Sequence, residues 1–127
     1  MRVERIDHVV LTVRDIDRTV EFYVRALGMR AVIFGEGRRA LTFGDQKVNL
    51  HEAGREFEPK AKDPRPGSAD LCFTSEIPLD DVLAHLGAVG VRIELGPVTK
   101  VGARASLRSI YVRDPDGNLI EISNEVR

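Results

Sequence analysis

The sequence predicts an α+β fold made of two tandem β-α-β-β-β modules. Two observations carry that prediction: one apolar strand, one amphipathic helix and three short strands follow each other twice in the same order, and a Pro/Gly-rich stretch lies between the two series. A length of 127 residues suits one domain with a proper core. A single domain is therefore expected over 1–127, with the first module at about 1–53, a linker at about 54–68 and the second module at about 69–127.

The first segment, RVERIDHVVLTV, is rich in β-branched and apolar residues and reads as a strand ending in the turn-like RDID. Val20, Tyr23, Val24 and Leu27 then fall at i, i+3, i+4 and i+7, the spacing of one helix face, with Asp17 as the expected N-cap and Gly28 as the left-handed stop. Three strands are expected near 31–34, 39–43 and 47–51, punctuated by GEG and GDQ. The stretch GREFEPKAKDPRPGS has three prolines, two glycines and no apolar period, so it reads as a linker.

Beyond it the order returns. ADLCFTS reads as a strand, and Leu79, Val82, Leu83 and Leu86 repeat the helical spacing before Gly90. Strands are expected near 91–95, 107–112 and 118–123, the last two joined by DPDG, in which proline and glycine preset the turn. Overlaying HVVLTV on DLCFTS sets His8 against Asp70, Leu11 against Phe73 and Thr12 against Thr74. One such module has only a single helix to cover its sheet, so pairing two completes the core. Two curved half-sheets would leave a concave face.

A hydrophobic content of 43% with 31% charged residues is that of an ordinary globular chain, which excludes a disordered one. The net charge of −1 gives no pull toward nucleic acid or anionic membrane. No apolar run approaches the roughly 20 residues that cross a bilayer, and MRVERIDHVV lacks a secretory core, so a cytoplasmic location is expected. Cys72 is the only cysteine and has no intrachain disulfide partner.

Strand alternation selects the candidate site residues. Val9, Leu11 and Val13 share the face suited to the helix, which turns His8 the other way. Likewise Val48 and Leu50 oppose Asn49 and His51, and Ile120 and Ile122 oppose Leu119, Glu121 and Ser123. His8, His51 and Glu121 thus form a two-His-one-carboxylate set, the kind that holds a divalent metal and leaves positions open for substrate. The expected fold is then a curved mixed sheet around a metal-binding cleft. Asp70, matched to His8 by the repeat, is either a fourth ligand, an outer acceptor or a strand-start residue. His85 lies off the apolar stripe and is expected in solvent, and Cys72 reads as a small buried filler. Lys100, Arg104 and Arg108 flank PVTKVGARAS, read as a mobile loop whose charges either solvate it or meet an anionic ligand.

The stretches IDHVVLTVRDIDRTVEFYVRALGM and YVRDPDGNLIEIS resemble the two ends of a domain of the vicinal oxygen chelate superfamily, which includes glyoxalase I, bleomycin-resistance proteins, fosfomycin-modifying transferases and extradiol dioxygenases. KVNLHE and PGSADLCF also resemble the glyoxalase-domain group whose bacterial members are described as virulence-associated. The resemblance implies paired modules around a divalent metal (Ni, Zn, Co, Mn or Fe), with His8, His51, Asp70 and Glu121 in the four ligand places. Glyoxalase I has His or Gln, Glu, His and Glu there, so His51 and Asp70 depart from it. The activity implied is that of a metal-dependent lyase or isomerase on a small vicinal-oxygen substrate such as a thiol hemithioacetal, with Glu121 or Asp70 moving the proton. Its alternatives are an Fe(II) ring-cleaving dioxygenase, a fosfomycin-type thiol transferase and a non-catalytic drug-binding module. A homodimer is expected, because small half-sheets otherwise leave edge strands exposed.

Overall fold

The computed structural model describes all 127 residues. The chain divides into two compact units, Met1–Pro66 and Gly67–Arg127. The first contains β1 (His8–Val13), α1 (Ile16–Leu27), β2 (Arg30–Phe34), β3 (Arg38–Phe43) and β4 (Gln46–Glu52), in a sheet of order β1-β4-β3-β2. The second contains β5 (Asp70–Thr74), α2 (Leu79–Ala88), β6 (Leu95–Val101), β7 (Ser106–Arg113) and β8 (Leu119–Glu125), in the order β5-β8-β7-β6. In each sheet the first and last strands run parallel and the remaining pairs are antiparallel. The tandem β-α-β-β-β reading therefore holds element by element.

Local chemistry explains where α1 begins and ends. Asp15, not Asp17, is its N-cap: the Asp15 backbone is extended and its side chain accepts a hydrogen bond from the Arg18 amide at 3.0 Å. Asp17 sits instead in the first turn, where its charge favours the helix dipole and pairs with Arg39 at 3.2 Å. Gly28 takes φ 68°, and the amides of Gly28 and Met29 then close on Val24 and Tyr23. The buried face is Thr19, Phe22, Tyr23 and Ala26, whereas Val24 is 40% exposed. Both quartets have the i, i+3, i+4, i+7 spacing, and the one that buries two aromatic rings removes more apolar area from water. Under this face lie Leu11, Val13, Leu41, Val48 and Leu50.

In the second unit Leu79 and Leu86 of α2 are buried, as are Ile110, Val112, Ile120 and Ile122 of the sheet. The helix has no capping side chain of its own. Asn124 replaces it, accepting from the Leu79 amide at 2.8 Å and donating to the carbonyls of Ser75 and Ile77. The strand expected at 91–95 lies later, at Leu95–Val101; just ahead of it the Glu94 N–H donates a hydrogen bond to the Tyr111 carbonyl at 2.8 Å. Most of PVTKVGARAS is consequently strand rather than mobile loop. Pro97 is tolerated because β6 is an edge strand with an irregular register between Leu95 and Val98. Only residues 102–105 turn, closed by Gly102 N–H to the Ala105 carbonyl at 2.9 Å.

The stretch read as a linker has neither helix nor strand up to Pro66, yet it returns to the first sheet. The Phe57 ring packs edge-on against His51, centroids 5.8 Å apart. The DPDGN turn is a hydrogen-bonded knot: buried Asp114 accepts from the amides of Asp116 and Asn118 and from Asn118 Nδ2, at 2.8–3.0 Å. Asn118 in turn accepts from the Ala69 amide ahead of β5. No helix is long and apolar enough to cross a membrane.

Candidate functional site

Strand register places the expected site residues. His8 and Asp70 are the first residues of β1 and β5, and both are exposed. In the first sheet Val10 pairs with Asn49 and Thr12 with His51; in the second Cys72 pairs with Glu121 and Thr74 with Ser123. By this matching Glu121 corresponds to Asn49, and His51 corresponds to Ser123. His51 thus stands two residues further along its strand than the position that carries the carboxylate in the second unit. Neither unit by itself gathers three His, Cys, Asp or Glu side chains into a group able to hold a metal.

Each expected ligand has its own surroundings. The Asp7 carboxylate lies 2.8 Å from His8 Nδ1, and this hydrogen bond holds the Asp7 carboxyl below its usual range. A proton fixed on Nδ1 leaves the Nε2 lone pair free, as in carboxylate–histidine–metal arrangements. Glu121 is held as firmly. Its Oε2 accepts from Ser109 Oγ at 2.6 Å and from Ser123 Oγ at 3.2 Å, and the two serine hydroxyls are 2.7 Å apart. The neighbouring Tyr111 hydroxyl also hydrogen-bonds Glu121; burial first, and then this carboxylate, push the phenol up to about 12. Tyr111 therefore remains a donor throughout the working pH range. Imidazole nitrogen and carboxylate oxygen are donor types that a divalent ion takes, and His8 and Glu121 are each oriented by an outer hydrogen bond within its own unit.

His51 is set differently. It is 3% exposed, and its Nε2 lies 3.4 Å from the Arg38 guanidinium. Burial and this cation hold the imidazole below its ordinary pKa, so it is neutral at pH 7. Neutral imidazole is the metal-binding form, but Arg38 takes up the direction of its Nε2 lone pair.

A cleft of about 520 Å³ opens on the second unit, lined by Glu121, Cys72, Thr74, Leu107, Lys100 and Arg104 among others. Cys72 is exposed there rather than buried, with its sulfur 3.3 Å from Ser123 Oγ; desolvation keeps the thiol protonated. Pleating explains this, since Cys72 shares the Asp70 face and not that of Leu71 and Phe73. Arg104 is paired with Glu125, Lys100 lies 5.7 Å from the Tyr111 ring centroid, and Arg108 is exposed outside the cleft lining. His85 is exposed on α2, as its position off the apolar stripe implied. The residues that sequence reading missed are Asp7, Arg38, Phe57, Ser109 and Tyr111. For Ser109 and Tyr111 a signal existed, because alternation in SLRSIYVR opposes them to Ile110 and Val112.

Comparison with known proteins adds a family. The model described as Glyoxalase/Bleomycin resistance protein/Dioxygenase superfamily matches residues 5–122. The virulence protein STM3117 of Salmonella typhimurium is 55% identical over 126 residues, which cover 99% of this chain and 88% of that protein. Its crystal structure superposes with a TM-score of 0.98, covering 99% of this chain and 100% of that one. The glyoxalase domain-containing protein RDO1 of Mycosarcoma maydis is 52% identical over 98% of this chain and 70% of its own length. The metallothiol transferase FosB of Shouchella clausii is 28% identical over 94% of this chain and 80% of its own.

Proposed function

Because the chain belongs to the Glyoxalase/Bleomycin resistance protein/Dioxygenase superfamily, we propose that it is a cytoplasmic metal-dependent enzyme of the glyoxalase type, a lyase or isomerase acting on a small substrate with two adjacent oxygens such as a thiol hemithioacetal. The observation that carries this reading is the pair of outer hydrogen-bond shells, Asp7 on His8 and the Ser109, Ser123 and Tyr111 hydroxyls on Glu121. Such shells are the ones that orient metal ligands.

In this reading His8 and Glu121 are ligands of a divalent ion, and His51 is a third once Arg38 releases its Nε2. A bound divalent ion supplies Lewis-acid polarisation of the two substrate oxygens. Glu121 or Asp70 then moves the proton. Glu121 is already committed at Oε2 to hydroxyl donors, whereas Asp70 is exposed and matches His8 in the repeat. The cleft beside Glu121 offers room for a small conjugate.

A second reading, a thiol transferase, is favoured by the 28% identity to the metallothiol transferase. One experiment separates the readings. Chelator-treated protein is reconstituted anaerobically with Ni²⁺, Zn²⁺ or Co²⁺ and given the hemithioacetal of methylglyoxal. Turnover that regenerates free thiol after thioester hydrolysis supports the lyase. Consumption of a thiol by an epoxide, without hemithioacetal turnover, supports the transferase. Activity on catechols that needs Fe²⁺ and oxygen contradicts both, and tight binding of an intact drug without turnover marks a sequestering module instead.

A further inference from the structure

Arg38 of β3 stands where three rings meet. Its guanidinium lies 3.4 Å from His51 Nε2 and stacks on two phenyl groups, with Cζ 4.7 Å from the Phe57 centroid and 5.4 Å from that of Phe34. Phe57 also touches His51, edge-on at 5.8 Å. His51, Arg38 and Phe57 thus close a triangle of mutual contacts, and the imidazole is left 3% exposed.

Phe57 belongs to the stretch without helix or strand that follows β4. Polar bonds there are local. Glu56 accepts from the Gly54 amide at 2.8 Å, and Lys60 pairs with Glu56 and Glu58 at 3.5 Å. From Glu56 to Ala61 no hydrogen bond or ion pair reaches the sheet, so the Phe57 ring is the tie to β3 and β4. The charges of Glu56 and Lys60 act on the imidazole with opposite sign and offset one another. Pro59, Lys60 and Ala61 share with His51, Thr12 and Val10 the lining of a cavity of about 240 Å³, so the stretch stands over the imidazole without filling the space beside it.

The Nε2 lone pair serves one partner at a time, either an N–H donor or an ion, and a guanidinium at this separation repels a second cation. We propose that Arg38 and Phe57 form a latch, in which Arg38 holds the place of a divalent ion at His51 and Phe57 loses its hold on the sheet when Arg38 yields that place. The inference rests on the reading of His51 as a third ligand. Loading of His51 and release of residues 55–61 are then coupled, and coupling is reciprocal: whatever weakens the latch strengthens the ion's binding. A guanidinium that merely positioned His51 for the ion would have the opposite effect when removed.

Zn²⁺ affinity of the full chain, measured by competition with a chromophoric chelator, is expected to rise about tenfold in Arg38→Gln. Should that variant fail to fold by circular dichroism, Phe57→Ala, at a position already 42% exposed, is expected to shift affinity in the same direction. The second readout is Phe57→Trp, which supplies the only tryptophan of the chain. Its quenching by acrylamide should increase when Zn²⁺ saturates the protein, should already be high in chelator when Arg38→Gln is added, and should not respond to Zn²⁺ when His51→Ala is added. Affinity that is unchanged or weaker in Arg38→Gln and Phe57→Ala overturns the latch, as does quenching that Zn²⁺ leaves unaltered in a protein that binds it. Absence of Zn²⁺ binding by wild type and variants alike overturns the metal reading itself, and the latch with it, so the two failures are told apart.

Discussion

At the scale of single residues, the feature with the clearest consequence is the Asp7–His8 pair. Both side chains are exposed, so the pair adds little to stability, and its effect falls on the orientation of the imidazole. Asp7→Ala is therefore expected to weaken Zn²⁺ binding by roughly 10–100-fold, measured by competition with a chromophoric chelator, while the thermal midpoint stays within a few degrees. An unchanged affinity would remove Asp7 from the metal's outer shell. His51 supports a prediction of a different kind, on protein kept in chelator. Its folded pKa lies below the unfolded value, so the unfolded chain binds more protons in acid and the folded state loses stability as pH falls below about 6.5. Denaturant titrations between pH 7.5 and 5 should show that loss, and His51→Gln should flatten it; an equal slope in the variant would mean that other groups cause it. Neither Asp7 nor Arg38 could be picked from the sequence. Asp7 precedes the first strand, where alternation no longer tells which way a side chain turns, and Arg38 meets His51 only through strand pairing.

At the scale of elements, the repeat was legible because each module combines periods of 3.6 and 2 in the same order. What stayed hidden was register. Alternation grouped His51 with Glu121 as outward residues of final strands, but only the paired ladders reveal that Asn49 is the counterpart of Glu121. The helix face was ambiguous for a similar reason, two overlapping quartets sharing one spacing. The DPDGN turn was read as a turn, and its buried network was not visible, since three donors converge on Asp114 from residues that follow it. Asp114→Ala leaves those donors unpaired and is expected to cost about 3 kcal/mol, read as a shift in the urea midpoint; a change under about 0.5 kcal/mol would mean water satisfies them. Gly67 is bound to the same turn, for at φ 86° an added Cβ would stand 2.6 Å from the Asp116 carbonyl oxygen. A role in folding thus accounts for PGS and DPDGN, two segments that carry the family resemblance.

At the scale of the whole molecule, each sheet ends in edge strands, and Ile33 of β2 and Val101 of β6 are 72% and 95% exposed. Unprotected apolar edges favour association, so we propose a homodimer. Light scattering across micromolar concentrations should give twice the 14.1 kDa chain mass, and a monomer mass throughout would refute this. The central claim is the metal, and its most direct measurement is the stoichiometry of Zn²⁺ or Ni²⁺ bound by chelator-stripped, reconstituted protein, determined by elemental analysis after gel filtration. The account predicts about one ion per chain in the wild type and nearly none in His8→Ala and Glu121→Gln, both still folded by circular dichroism. A folded wild type that retains no ion, or variants that retain it in full, would contradict it.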